Sequence, residues 1–277
     1  MPAKKQTVLR LTESAVMLAF AAVLSVIKIV DMPAGGSVTA CSMLPLLIIA
    51  YRYGTKWGIF TAFTYSLIQL LLGLENFAWA PGFLSKVMLA LFDYLIAFLV
   101  LGLAGLFRRK NWSQGMSLAV AAVVTGILRY LCHAVSGFTV WRDMSVPFGQ
   151  SLVYSLSYNA TYMIPEIIIL ALGAVYISRV LSFENERITR SPAQKTASPA
   201  VLTLSVISKT ALLATAVWAI VLIAPGIQNA DSGELFLAGL AAVSWKTVGL
   251  VSLCGSWIFL LLELIASRIR IRQLENK

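Results

Sequence analysis

Polar side chains capable of binding chemistry occur in this sequence where hydrocarbon should surround them. Asp93 interrupts the apolar run SKVMLALFDYLIAFLVLGLAGLF, with Tyr94 beside it and Lys86 two turns earlier on the same helical face. A carboxylate at the centre of a membrane span costs about 2.5–3.5 kcal/mol on insertion scales, so such a residue faces a bundle interior or a cavity. Residue chemistry leaves two assignments open for it: counter-ion to a cationic ligand, or member of a buried pair with Lys86 or Arg129. Further on, Arg129, His133 and Gly137 recur every fourth residue, on one face of a helix, and Trp141 is one more step of four. His133 is the only histidine of the chain. Alone, it would be an interhelical hydrogen-bonder; beside Arg, Gly and Trp it reads as a pocket wall, with Gly137 leaving room for a ring next to Trp141.

Tyr154, Tyr158 and Tyr162 form one stripe of the next helix, and Asn159, Tyr162 and Glu166 a neighbouring one. Any single tyrosine near a helix end reads equally as an interfacial anchor, whereas a buried Asn159 needs its amide donors and acceptor met. An acid, an indole, phenols, an imidazole and an amide suit a flat heteroaromatic cation: the carboxylate balances charge, Trp141 offers its π face, and Asn159 and the tyrosines read ring nitrogens. Catalysis is the weaker alternative. His133 and Ser136 are three apart and can meet, but the sequence shows no third group to orient them. There is no phosphate loop, no HExxH and no dinucleotide fingerprint. Cys41, Cys132 and Cys254 lie far apart without a CxxC, which indicates neither a disulfide framework nor a metal site. No cofactor is expected.

The elements that must position these groups are membrane helices. A chain with 59% hydrophobic and 12% charged residues and a mean hydropathy of +0.83 cannot cover a soluble globule with polar side chains. Apolar runs near the ~20 residues of a crossing recur along it, about eight in all, which defines an all-α integral membrane protein. They fall at about Leu11–Val30, Cys41–Ala50, Ile59–Leu72, the run around Asp93, Met116–Gly137, Gln150–Leu181, Ile207–Ala224 and the stretch ending near Ala266. The second is short, MPAGGSVTA before it is a Pro/Gly loop, and Pro165 should kink the sixth. The stretch SFENERITRSPAQKTASP is a linker. It divides the chain into a bundle over 1–182, a cytoplasmic linker over 183–199 and a two-helix membrane extension over 200–277.

The net charge of +10 would suggest nucleic acid in a soluble protein, but Lys and Arg gather between alternate spans. That is the pattern of cytoplasmic loops in a multi-pass protein of the cell membrane with both termini inside. No nucleic-acid partner is therefore expected; the surroundings are membrane lipid. Ala15, Ala19 and Ala22 give the first helix a smooth strip against which another helix can close.

In order along the chain, MPAGGS…MLPLLIIAYRYG, DYLIAF, RY..HAVSGF..W and YSLSYN resemble the thiamine-specific substrate-binding (S) components of energy-coupling-factor vitamin transporters. The resemblance covers about Leu11 to Leu181. It implies a six-helix bundle, extended here by about two C-terminal helices, that captures thiamine and docks on a transmembrane coupling subunit driven by two ATPase subunits. It also implies transport rather than catalysis. Mapped onto this sequence, the pocket positions are Asp93, Tyr94, His133, Gly137, Trp141, Tyr154 and Asn159, and the docking strip is Ala15 and Ala19. Members of that family often carry Glu where Asp93 stands. The alternative expectation is a self-sufficient secondary carrier for thiamine or a related cation, suggested by the extra helices and by Asp93, His133 and Glu166 within the bundle.

Overall fold

A computed structural model of the protein describes residues 3–32, 35–80, 82–108, 112–140, 147–191, 198–227 and 243–275. These form two compact units, Met1–Thr189 and Arg190–Lys277. The first unit opens with helix α1 (Ala3–Val26) and a small antiparallel hairpin, β1 (Lys28–Asp31) on β2 (Ser37–Thr39). Helices α2 (Leu44–Tyr53) and α3 (Thr55–Leu72) come after it. Next is α4 (Gly82–Phe107), which runs as α-helix, tightens into 3-10 geometry over Val100–Phe107 and carries a π-helical segment at Ala90–Leu95. Helices α5 (Gln114–Val140) and α6 (Phe148–Val180) complete the unit. The second unit contains α7 (Pro199–Ile227) and α8 (Trp245–Glu275), where Gly255 lets α8 close on the side chain of Thr215.

Among the described residues, five helices are long and apolar enough to cross a membrane: Lys5–Val26, Gly82–Phe107, Gln114–Val140, Phe148–Val180 and Pro199–Ala219. This is an all-α membrane protein. The second expected run, short already in the sequence, is α2, which has only ten residues. At 1.5 Å per residue it is about 15 Å long, half of a ~30 Å hydrocarbon core. The break expected between Leu235 and Ser244 lies mostly outside the described residues.

Run length predicts a first helix reaching Val30, yet α1 stops at Val26 and the next residues turn into β1. Ile29 and Val30 are β-branched and suit a strand. The reversal is secured at Gly35 and Gly36, both at φ +89, a region that L side chains rarely occupy. Met32 N–H donates to the Gly36 carbonyl (3.0 Å), and Gly35 N–H to that of Met32 (3.1 Å).

One end of the first unit is fastened by Arg52, which is 8% exposed. Its guanidinium donates from Nε and Nη2 to Glu13 of α1 (2.8 and 3.0 Å). Nη1 and Nη2 also donate to the carbonyls of Phe183 (2.8 Å), Asn185 (3.2 Å) and Glu186 (3.2 Å), just beyond α6. Tyr53 donates to Glu13 (2.6 Å), and Arg108 Nη1 to the Arg52 carbonyl (3.0 Å). Gln114 closes the arrangement, donating to the Leu181 carbonyl (2.8 Å) and accepting from Phe183 N–H (2.7 Å). Residues 183–186, the expected start of a linker, are thus built into the bundle.

Candidate ligand-binding site

The π-helical segment Ala90–Leu95 is the local feature that aims Asp93. A π turn holds one residue more than an α turn, and one extra residue rotates the rest of the helix by about 100°. The face of α4 carrying Asp93 therefore differs from the one that α-helical spacing predicts. Its carboxylate meets neither of the expected partners. Lys86 is exposed, and the Arg129 guanidinium lies over the Phe98 ring (4.5 Å to the centroid) with Nη1 donating to Met43 Sδ (3.0 Å). Asp93 instead engages α5 with both oxygens: Oδ1 lies 2.8 Å from His133 Nδ1, and Oδ2 accepts from Ser136 Oγ at 2.6 Å. His133 and Ser136 are i and i+3 on α5, so one carboxylate spans both.

This arrangement supplies the third group that the sequence does not reveal beside His133 and Ser136. It is not a catalytic relay. The serine and the imidazole both bond to the carboxylate, whereas a nucleophile needs its base as hydrogen-bond partner.

From α6, Asn159 donates Nδ2 to the Ser155 carbonyl (2.8 Å) and more weakly to that of His133 (3.4 Å), while its Oδ1 accepts from Tyr162. The Tyr162 ring stands edge-on to His133, with centroids 6.1 Å apart. Gly137 lies where α5 packs against α6. A β-carbon there would run into Ser155 and lie 3.2 Å from Asn159 Nδ2, so its absence lets α5 and α6 meet at the site. Tyr154 and Tyr158 stack at 6.1 Å with planes 16° apart.

Tyr94 turns away from this cluster. Its phenol accepts from Asn76 (2.8 Å) and donates to the Gly73 carbonyl (3.2 Å), and its ring stacks on Phe77. Trp141 lies outside the described residues. Ala15 and Ala19 are exposed on the first unit, on a face of α1 turned away from the buried Ser14 and Ala21.

Residues 35–41 form a second wall that sequence reasoning does not supply. The Gly35 carbonyl accepts from Tyr158 (2.7 Å), and Gly36 lies flat against the Tyr162 ring. Thr39 donates from its backbone N–H and its hydroxyl to Glu166 (2.6 Å each), and Cys41 Sγ donates to the Ile169 carbonyl (3.4 Å). The extended chain thus tracks α6, six residue steps at about 3.3 Å matching eleven helical steps at 1.5 Å. Non-helical backbone at membrane depth survives only where protein satisfies it. Glu166, 1% exposed, supplies that satisfaction, which removes it from the set of free ionisable groups. The only sequence signal for this is a carboxylate in a span opposite a Pro/Gly loop.

The polar atoms of the cluster are not all spent. Among the described residues, His133 Nε2 and Arg129 Nε are buried without a hydrogen-bond partner, and buried polar groups are rarely left so. An acid, a ring nitrogen without a partner among the described residues, and aromatic rings are the groups by which a planar cation carrying N–H or O–H groups is recognised. No group of His, Cys, Asp and Glu suited to a metal ion occurs among the described residues.

Comparison with known proteins gives two findings. A family described as thiamine transporter protein matches residues 11–184. The thiamine transporter ThiT of Bacillus subtilis (strain 168) is 35% identical over 180 residues, which cover 61% of this chain and 90% of the relative. The matched region contains all the residues of the cluster around Asp93, and the unit from Arg190 onward falls outside the family match.

Proposed function

Because the chain belongs to the thiamine transporter protein family, and is accordingly a multi-pass membrane transporter and not an enzyme, we propose that it is the substrate-binding component of an energy-coupling-factor transporter. It captures thiamine in the bundle of residues 1–182 and relies on partner subunits for energy. The observation that carries the site is the Asp93 carboxylate held by His133 and Ser136 beside a His133 Nε2 without a partner among the described residues. Thiamine is a planar aminopyrimidine joined to a cationic thiazolium. Asp93 supplies the counter-charge, His133 Nε2 and Asn159 read hydrogen-bonding edges, and Tyr154 and Trp141 furnish ring faces, the complementarity expected of a mostly apolar pocket with a few polar groups. Tyr94 and Gly137 act from behind, holding α4 to the 73–77 segment and α5 to α6.

The charge distribution supports one orientation. The end fastened by Arg52 and Arg108, with Lys56 close by in the sequence, faces the cytoplasm together with both termini, and the less basic opposite end, near Gly35 and Phe148, faces outward. Ala15 and Ala19, exposed on α1, dock the coupling subunit, which works with two ATPase subunits; small residues permit close helix approach. Residues 200–277 serve as a brace or an additional docking surface beyond a linker whose expected first residues, 183–186, are bonded into the bundle.

The test is uptake. Proteoliposomes holding this chain alone should bind thiamine without accumulating it, and accumulation should appear when a coupling subunit and its ATPases are added with ATP. The helical unit outside the family match favours one other reading, a self-sufficient carrier. Accumulation by the lone chain under a proton gradient would establish that reading and reject ours.

A further inference from the structure

We infer that Ser136 is a positioning residue of the binding site, holding Asp93 so that His133 presents Nε2 as a proton acceptor toward the ligand. The inference rests on the thiamine-binding reading above for the identity of that ligand. It starts from the two oxygens of Asp93. An ionised carboxylate can only accept, so the 2.8 Å contact to His133 Nδ1 places the imidazole proton on Nδ1. In the neutral ring Nε2 is then a bare acceptor, and that is the atom left buried and unpartnered among the described residues.

The carboxylate could serve His133 in this way from several rotations about its own bond. Ser136 selects one. Its hydroxyl donates to Oδ2 at 2.6 Å, and its residue is fully buried, 0% exposed, so no bulk water competes for that bond. Fixing Oδ2 fixes Oδ1 against Nδ1, and through it the tautomer of the ring, as outer partners do for metal-bound histidines. The π-helical segment Ala90–Leu95 brings Asp93 into reach of both α5 residues, and such segments concentrate at functional sites. Three local features therefore converge on one nitrogen. A ligand that donates N–H or O–H to Nε2 is favoured; one that offers only acceptors there meets a lone pair.

His133 is the only histidine of the chain, so an imidazole nitrogen NMR spectrum of the full-length protein in lipid nanodiscs reports this ring alone. The wild type, without ligand, should show a protonated Nδ1 and an unprotonated Nε2. Ser136→Ala should mix the two tautomers and weaken thiamine binding about tenfold, the worth of one hydrogen bond to a charged group. Should the alanine variant fail to give a monodisperse protein, Ser136→Cys, of nearly the same shape and a weak donor, should move both readouts the same way by less. An unchanged tautomer in a folded variant overturns the inference, whether or not binding falls. Failure of the wild type to bind thiamine rejects the ligand instead, and the tautomer shift still decides the role of Ser136.

Discussion

Two arginines inside the same bundle show what separates structure from site in this molecule. Arg52 spends all five of its N–H groups on Glu13 and on the carbonyls of Phe183, Asn185 and Glu186. Arg129, one wall of the region around Asp93, rests on the Phe98 ring, gives one N–H to a thioether and keeps a buried Nε without a partner among the described residues. Around Arg52 the guanidinium is closed, since acid and backbone carbonyls take all of its donors, although a cavity lined by Arg10, Tyr53, Arg108 and Glu184 adjoins it. Around Asp93 the polar chemistry is open at His133 Nε2. A buried network with every group met rigidifies, whereas one with a group left over has room for a further partner. Burial alone does not distinguish the two, since Arg52 and His133 are 8% and 9% exposed.

The largest effect that would test this contrast is expected at the closed end. Arg52→Met removes one member of a buried ion pair and strands Glu13 with three carbonyls, a loss of about 3–5 kcal/mol. Thermal unfolding in detergent should fall accordingly, while the thiamine affinity of the remaining folded protein should stay within about twofold. If affinity falls as steeply as stability, the two regions are one network and the contrast is broken. Asp93→Asn should do the reverse. It keeps the shape and a hydrogen bond to Ser136 but deletes the counter-charge, so calorimetry should show about a hundredfold weaker thiamine binding with a small change in unfolding temperature.

The closed and open regions also differ in how far the sequence discloses them. Helices α4, α5 and α6 are legible from run length and hydropathy, because lipid dictates both, and Asp93 stands out because a span rarely tolerates a carboxylate. Its partners do not. α-Helical spacing points to Lys86 or Arg129, and a π-helical segment, which has no composition of its own, turns Asp93 to His133 and Ser136. Gly137 is legible as a missing side chain but not as the contact with Ser155, since the register of one helix on another is decided by packing over their whole length. Glu166 is legible as an ionisable group, while its attachment to Thr39 depends on a three-residue strand too short to show a period. The Arg52 arrangement reads in the sequence only as cytoplasmic charge, because three of its acceptors are backbone carbonyls, which every residue has.

The smallest expected effect lies where the extended segment covers the open region. Gly36 sits at φ +89 with the Tyr162 ring where a β-carbon would be, 2.5 Å away, so Gly36→Ala adds backbone strain of about 1–3 kcal/mol together with a steric overlap. The strain has two outlets. The whole bundle could become less stable, as a closed region would require, or the segment could lift locally off α6. The second should win, because Thr39 remains clamped by two bonds to Glu166, whereas at Gly35 the hydrogen bond to α6 seen among the described residues is the one from the Tyr158 hydroxyl. Lifting at that point removes the backing of Tyr162, whose hydroxyl orients the Asn159 amide. Thiamine binding should therefore weaken about five- to tenfold, consistent with losing about 1–1.4 kcal/mol of ordered contact, while the unfolding temperature barely moves. A variant that loses stability and keeps its affinity would instead assign residues 35–41 to the closed part of the molecule.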